Sequence, residues 1–370
     1  MNKSDIQIGK EIPWNIYDCH GGKLLSKGVV VASDSILVRL LERGLRDADE
    51  GGEAARHAAD MQEPPAPSVF DRVAALSIEL NALHENLLNG RQRDGAAAVH
   101  ALAGRLLASY RREPDGMLAA FYLGCEEGSH AERMLHVCVL CELMASWVEP
   151  EAAARAAISA AALTYDIGMH VLNPVLNRQA EPLSQAQRRE LRAHSAGAVD
   201  LLRNAGVTDT AWLDIVHSHH ERIDGSGYPR GLRGDDISWA ARILAVADIY
   251  SAMIRPRAHR EALNAKDALR RIFLERGRLV DPELAAVLIK AVGVYPPGGL
   301  VRLANGEIAV VVRRSGHATA PKIKSVVGMD GVARTRPVSR DPQDPLHAII
   351  DAVPFSQCRF AMATVRRLWE

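Results

Sequence analysis

A pair of adjacent histidines, His219 and His220, leads into a glycine-rich loop that ends at Gly234. A strongly apolar segment follows and runs into Asp248, which stands among residues with the pattern of a buried helix face. A buried carboxylate is costly unless a cation or several hydrogen-bond donors compensate it. The two imidazoles and this carboxylate therefore predict a metal site. The alternative is a solvated histidine pair and an Asp248 that pairs with Arg242.

More imidazoles and a second carboxylate occur upstream. Asp166 ends an alanine-rich, largely apolar helix, so it also needs a compensating partner. His130 opens a predicted helix over residues 131–148, and His194 lies on a helix that begins at the N-cap Ser184. Imidazoles with carboxylates suit first-row metals such as Fe, Mn or Zn, and helical bundles commonly bring such ligands together. A single histidine on a helix is more often a packing or surface residue, so the prediction depends on the joint pattern.

The elements that must position these side chains are mostly helices. Apolar residues at three- and four-residue spacing continue for about two hundred residues after a linker rich in Gly, Ala, Glu and Pro. We predict a mainly α protein with a helical bundle between two small β units. The predicted parts are an N-terminal regulatory or docking β unit (1–48, with a helix over 34–43), a linker (49–68), connecting helices (69–113), the bundle (114–294) and a C-terminal β extension (295–370), in which Asn305-Gly306 marks a hairpin.

Composition excludes several classes of protein. The chain of 370 residues has 45 basic and 45 acidic residues, so bulk charge indicates neither a nucleic-acid polymer nor an anionic membrane as partner. Five scattered cysteines fit a reducing compartment better than a disulfide framework. No apolar run approaches the ~18 residues of a membrane span, and the N-terminus lacks a signal-peptide core. We therefore expect a cytoplasmic protein without a membrane span.

The residues described above resemble those of the HD-GYP family. This family consists of HD-superfamily phosphodiesterases that open cyclic di-GMP to linear pGpG or on to GMP. The resemblance covers residues 114–290, and residues 219–234 match the highly specific run HHExxDGxGYPxGLxG. It implies an HD-type bundle and a loop, marked by Gly227, Tyr228 and Pro229, that contacts a partner or the substrate. The implied partners are cyclic di-GMP, diguanylate cyclase domains and a second copy of the chain.

The resemblance also implies a set of site residues. Two ions, with Fe or Mn favoured, would be held by His130, Asp166, His194, His219, His220 and Asp248, with Asp166 bridging them. Glu126 matches the position that binds a third ion in trinuclear members. Arg255 and Arg260 match basic residues that face the substrate phosphates, although an ordinary salt bridge is the alternative for each.

Two departures from the family pattern bear on catalysis. The His-Asp doublet of the family is Tyr165-Asp166 here, and the lysine three residues after that aspartate is Met169. A tyrosine is a poor ligand for divalent ions unless it is ionised, which is unfavourable at neutral pH. We therefore expect weaker binding of the ion nearest Tyr165, and less stabilisation of the transition state without the lysine. His170 is close enough in sequence to substitute.

Three function classes follow from these residues. The first is a working cyclic di-GMP phosphodiesterase, slowed by Tyr165 and Met169. The second is a non-catalytic relative that binds cyclic di-GMP or a diguanylate cyclase. The third is a phosphohydrolase that acts on another nucleotide, which the intact glycine loop disfavours. The retained ligands favour the first over the second.

Overall fold

The computed structural model describes residues 66–92, 94–124, 129–169, 176, 178–256, 261–316 and 319–369, and the backbone of 16–17, 23–25 and 45–46. The chain divides into two compact units, residues 1–66 and 67–370. The first unit contains a three-stranded antiparallel sheet of β1 (Ile16–Tyr17), β2 (Lys23–Leu25) and β3 (Leu45–Arg46), in the order β2-β1-β3. The helix expected over 34–43 and most of the expected linker lie outside the described residues.

The second unit is mainly helical, as the sequence predicts. Its described helices are α1 (Val69–Leu88), α2 (Gly95–Arg112), α3 (Pro114–Leu123), α4 (His130–Val148), α5 (Ala152–Ala162), α6 (Gln185–Asn204), α7 (Thr210–Ser218), α8 (Trp239–Met253), α9 (Ala265–Leu274), α10 (Pro282–Val292) and α11 (Met362–Arg366). Among these described helices, none is both long and apolar enough to cross a bilayer.

Side chains at the helix starts explain where several helices begin. Ser184 accepts a hydrogen bond from the Gln187 N–H, and the Gln187 side chain accepts one from the Ser184 N–H, which forms a capping box at the predicted start of α6. Asp209 caps α7 and so fixes the start of the helix that leads to the histidine pair. Helix α5 is shorter than predicted: it ends at Ala162, and Asp166 lies in the turn that follows.

Helix α4 lies at the centre of the helical part. It packs against α1, α5, α8 and α10, and almost every residue from Met134 to Ala145 is buried. Cys138 and Cys141 are buried free thiols within this helix. Because the middle of α4 is buried on all sides, it fixes the positions of His130 and Arg133 in its first turn relative to α8.

A five-stranded antiparallel sheet follows the helices. Its strands are β4 (Leu300–Leu303), β5 (Ile308–Arg313), β6 (Lys322–Val327), β7 (Ala333–Arg340) and β8 (Ile349–Val353), in the order β7-β6-β5-β4-β8. The predicted hairpin is confirmed: β4 pairs with β5 around Asn305-Gly306, and Gly306 has φ 89°. The sheet shares its core with the helices, since β5 packs against α3. The small C-terminal β unit is therefore continuous with the bundle.

Candidate metal centre

A tight turn after α5 positions the first acidic ligand. The Trp212 indole of α7 donates a hydrogen bond to the Thr164 hydroxyl at 2.9 Å, and this hydroxyl donates in turn to the Ala160 carbonyl. Gly168 then lets the turn lie directly against α6, because a Cβ atom there would be 2.6 Å from the carbonyl oxygen of His194. The turn thereby places Asp166 next to His194.

Four of the predicted ligands meet at this point. One ligand atom from each of Asp166, His194, His219 and His220 lies within 4.8 Å of the others. The Nε2 atom of His194 is 3.3 Å from the Nε2 atom of His219 and 3.4 Å from Oδ1 of Asp166. Asp166, His194 and His219 are buried, with at most 5% of each residue exposed. The sequence prediction that these residues converge agrees with this geometry.

The orientation of the imidazoles fits a bound cation. The Nδ1 atom of His219 donates to the carbonyl oxygen of Val216 at 2.6 Å, and Nδ1 of His194 donates to that of Leu191. In the neutral tautomer each Nε2 therefore carries a lone pair, and the two lone pairs point into the same space as a carboxylate oxygen. Converging lone pairs without a proton or cation between them repel one another. The donor set thus fits one first-row metal ion.

The protonation states agree with this fit. Burial alone would raise the pKa of Asp166, but the positive charges of Arg133, His130 and His194 outweigh it and lower this pKa to about 2. Burial and the neighbouring His194 lower the pKa of His219 to about 4. Burial likewise lowers the pKa of His220 well below its usual range. At neutral pH the site therefore offers an ionised Asp166 carboxylate and neutral imidazoles at His219 and His220, the forms that bind metal.

Asp248 has different partners. Its Oδ1 atom accepts a hydrogen bond from the Tyr165 hydroxyl at 2.7 Å and another from Nη2 of Arg133. The other terminal nitrogen of Arg133, Nη1, lies 3.2 Å from Oδ2 of Asp166. Burial and the charge of Asp248 raise the pKa of Tyr165 well above its usual range, despite the opposing charge of Arg133, so the phenol stays protonated. The alternative to a metal site was an ion pair between Asp248 and Arg242. Arg242 instead pairs with Asp281 at 2.8 Å and with Asp235.

The glycine-rich loop closes one side of the site. Both carboxylate oxygens of the buried Glu221 accept backbone N–H bonds from the loop, from Arg230 at 2.7 Å and from Leu232 at 3.0 Å. Gly227 lies so close to this segment that a Cβ atom would be 2.4 Å from the backbone nitrogen of Arg222. The loop therefore holds the Tyr228 ring 4.7 Å from the His220 ring, centroid to centroid.

These residues line a cavity of about 600 Å³, a volume typical of small-molecule sites. The residues that line it include Asp166, His194, His220 and Asp248, together with Arg133, Met169, Arg222, Tyr228 and residues 179–183. The Arg222 guanidinium lies half-buried at this surface, and burial lowers its pKa while Asp248 opposes that shift. The candidate metal site thus adjoins a cavity that is also lined by the guanidinium-bearing side chains of Arg133 and Arg222.

The other predicted site residues lie as follows. His130 begins α4 and is half-buried, and its charge acts on Asp166, although it is not one of the four converging ligands. Arg255 departs from the expectation that it faces phosphate: it is buried, and its Nη1 lies 3.2 Å from Nδ1 of His136 and 2.8 Å from the Ser251 hydroxyl. The end of α8 turns this side chain into the helical core. Glu126, His170 and Arg260 lie outside the described residues.

The sequence did not predict two residues that line the cavity, Arg133 and Arg222. Arg133 stands three residues after His130, a spacing that places both on one face of α4, and this was an available signal. Arg222 follows the histidine pair within the matched glycine-loop run, but its sequence position does not reveal where its guanidinium points.

The sequence is similar to those of known proteins. The HD domain family model matches residues 83–284, more than half of the chain. Cyclic di-GMP phosphodiesterase PA4108 of Pseudomonas aeruginosa is 31% identical over 326 residues, covering 80% of this chain and 77% of that protein. The cyclic di-GMP phosphodiesterase response regulator RpfG of Xanthomonas campestris is 33% identical over 225 residues, covering 57% and 58%. The 3'3'-cGAMP-specific phosphodiesterase 3 of Vibrio cholerae is 35% identical over 168 residues, covering 45% and 35%.

A solved structure has the same fold. It is that of Bd1817, an HDG"Y"P protein from Bdellovibrio bacteriovorus, which matches with a TM-score of 0.52 at 16% sequence identity and covers 78% of this chain and 97% of that chain. Together with the sequence matches and the four converging ligands, this likeness gives one conclusion. The chain belongs to the HD-domain family and is of the HD-GYP type.

Proposed function

We propose that the protein is a metal-dependent phosphodiesterase that hydrolyses cyclic di-GMP to linear pGpG or on to GMP. The main observation is that one carboxylate and three imidazoles converge beside a cavity of about 600 Å³. Asp166, His194, His219 and His220 would hold a first-row metal ion, and the resemblance to the HD-GYP family favours Fe or Mn. Such an ion acts as a Lewis acid on a phosphoryl oxygen and lowers the pKa of water.

The residues around the ligands complete the proposed site. Arg222 presents a guanidinium to the cavity, and this group would bind a non-bridging phosphate oxygen. Tyr228 lines the cavity next to His220, and burial raises the pKa of its hydroxyl, so it remains a hydrogen-bond donor with an apolar ring suited to contact a base. The names of PA4108 and RpfG, which are cyclic di-GMP phosphodiesterases, support the choice of substrate.

A turnover assay tests this function. Protein loaded with Mn²⁺ or Fe²⁺ is incubated with cyclic di-GMP and, separately, with 3'3'-cGAMP, and the products are separated by chromatography. We expect linear pGpG or GMP from cyclic di-GMP and loss of turnover after chelation. Preferential turnover of 3'3'-cGAMP would revise the substrate, and metal-loaded protein that hydrolyses neither dinucleotide would contradict the enzymatic proposal.

The second candidate is a binding module without turnover. Tyr165 donates to Asp248 where the family has an imidazole, and Met169 lines the cavity where the family has a lysine. These two departures favour it. It predicts that cyclic di-GMP binds to metal-loaded protein in calorimetry and is recovered intact, an outcome that the same assay distinguishes from catalysis.

Arg222 gives a prediction specific to the substrate. Among the described residues its guanidinium has one hydrogen bond, to the Glu221 carbonyl at 3.3 Å, and no carboxylate partner. Because a hydrogen bond to a charged group contributes about 1.5–3 kcal/mol, we expect Arg222→Gln to raise KM for cyclic di-GMP by about 10- to 100-fold. The metal content should stay unchanged, and kcat should fall less than KM rises.

The controls separate charge from general damage. Arg222→Lys keeps the charge and should recover part of the lost affinity. Arg203→Gln removes an exposed arginine of α6 that pairs with Asp200, so its KM should equal that of the wild type. If Arg222→Gln left KM unchanged, or lowered kcat alone, Arg222 would not bind the ground-state phosphate.

Other predictions extend this proposal. The loop that carries Gly227, Tyr228 and Pro229 forms part of the cavity wall through Tyr228, which favours contact with the substrate. Binding of a diguanylate cyclase domain, assembly into a homodimer, a third ion at Glu126 and a cytoplasmic location stay predictions.

A further inference from the structure

Arg133 occupies the space between the two buried carboxylates of the site. One of its terminal nitrogens lies 3.2 Å from Asp166 Oδ2 and the other contacts Asp248 Oδ1. Only 13% of the Arg133 side chain is exposed. Asp166 therefore directs its two oxygens in different directions, Oδ1 toward His194 and Oδ2 toward the guanidinium. The sequence predicts that the Asp166 carboxylate bridges two metal ions. In the structure it instead lies between His194 of the four-ligand site and the Arg133 guanidinium.

Tyr165 strengthens the same arrangement. Its hydroxyl donates to Asp248 at 2.7 Å, to the same oxygen that Arg133 contacts. A protonated phenol donates a hydrogen bond, whereas an imidazole at this position would offer a lone pair to an ion. Oδ1 of Asp248 thus accepts from two donors of the chain itself, and only 6% of Asp248 is exposed. The residues around Asp248 do not fit a second metal ion in this arrangement.

We infer that Arg133 is the second cation of the site, held between Asp166 and Asp248, so that the described residues of the site hold a single metal ion, at Asp166, His194, His219 and His220. An ion that bridged the two carboxylates would have to displace a guanidinium that already neutralises them. Removing that guanidinium without replacement would leave buried charges unpaired, which is strongly unfavourable. The inference rests on the proposed metal site but does not require turnover.

A fixed guanidinium has a consequence for the substrate. Arg133 lines the cavity on the side of Asp248, so its charge is available to a phosphate held at the four-ligand site. It carries one positive charge and planar donors, in contrast to the double charge of a metal ion. The site would therefore retain electrostatic stabilisation of a phosphoryl group, at a lower strength than two ions give.

Metal stoichiometry tests this inference without any assay of activity. Full-length protein is stripped of metal, saturated with Mn²⁺, dialysed and measured by elemental analysis and by electron paramagnetic resonance. We expect about one ion per chain, with the spectrum of an isolated Mn²⁺. The double variant Arg133→Gln with Tyr165→His should hold about two ions and show a coupled pair, because it removes the guanidinium and adds an imidazole ligand. Tyr165→His alone should take up a second ion only in part.

The control is another arginine of the cavity. Arg222→Gln removes a cavity charge without touching Asp166 or Asp248, so it should keep about one ion per chain. Two coupled ions in the wild type would overturn the inference while leaving the proposed function intact, and this measurement depends on no variant. A folded double variant that still holds one ion would also overturn it. Protein that binds no ion would overturn the four-ligand site itself, and the proposed function with it.

Discussion

Replacement of Asp166 by asparagine should abolish both metal binding and hydrolysis. Asp166 is the one carboxylate among the four converging ligands, and its pKa of about 2 keeps it ionised at neutral pH. Asparagine has nearly the same shape as aspartate but no charge. The variant therefore loses the negative charge that attracts the metal ion and that partly neutralises the Arg133 guanidinium. We expect turnover of cyclic di-GMP to fall by at least ~10²–10³-fold, the scale of lost electrostatic stabilisation at a reacting centre.

The matched control is an aspartate outside the site. Asp214 on α7 is half-exposed, and its carboxylate contacts Arg230 at 2.8 Å and the Ser238 hydroxyl at 3.1 Å. Asp214→Asn should keep the full metal content and near-normal turnover, with thermal unfolding measured for both variants. If Asp166→Asn retained its metal and its turnover, the reacting ion would have to lie elsewhere, and the proposed function would lose its main support.

The four converging residues could be found from the sequence because each has a local signature. His219 and His220 are adjacent at the end of a helix, and the capping box at Ser184 fixes the helix that carries His194. The turn at Asp166 follows from an apolar helix that must end in a compensated carboxylate. These signals extend over a few residues each, so single-sequence patterns are enough to find them.

The partners of Asp248 were not predictable in the same way. Arg133 and Asp248 are 115 residues apart, and their contact depends on how α4 rotates against α8. Arg255, which follows the end of α8, contacts His136 and is not among the residues that line the cavity, although its sequence position suggests a phosphate ligand. The spacing of apolar residues identifies the buried face of a helix. Because α4 and α8 are buried on nearly all sides, this spacing does not indicate which residues of α4 contact which residues of α8.

Restoration of the two departed positions should raise activity. Met169 is buried, lines the cavity, and donates its backbone N–H to the Asp166 carbonyl, so a lysine at this position would reach the phosphate side of the site. Tyr165→His would replace a hydrogen-bond donor to Asp248 with an imidazole, so that an ion competes in part with the Arg133 guanidinium for Asp248. We expect the double variant Tyr165→His with Met169→Lys to hydrolyse cyclic di-GMP ~10²-fold faster than the parent, and faster than either single variant.

Two control variants of similar size show whether any gain in turnover comes from the new charge and the new ligand or only from altered packing. Tyr165→Phe removes the hydroxyl but adds no ligand, and Met169→Leu keeps an apolar side chain, so neither should raise turnover. All variants are compared at saturating Mn²⁺ with metal content measured in each. A parent that is already fast and gains nothing from either change would show that Tyr165 and Met169 are harmless. A double variant that gains a second ion but no turnover would show that the chain has become a binding protein through changes elsewhere, because both departures would then have been repaired without restoring catalysis.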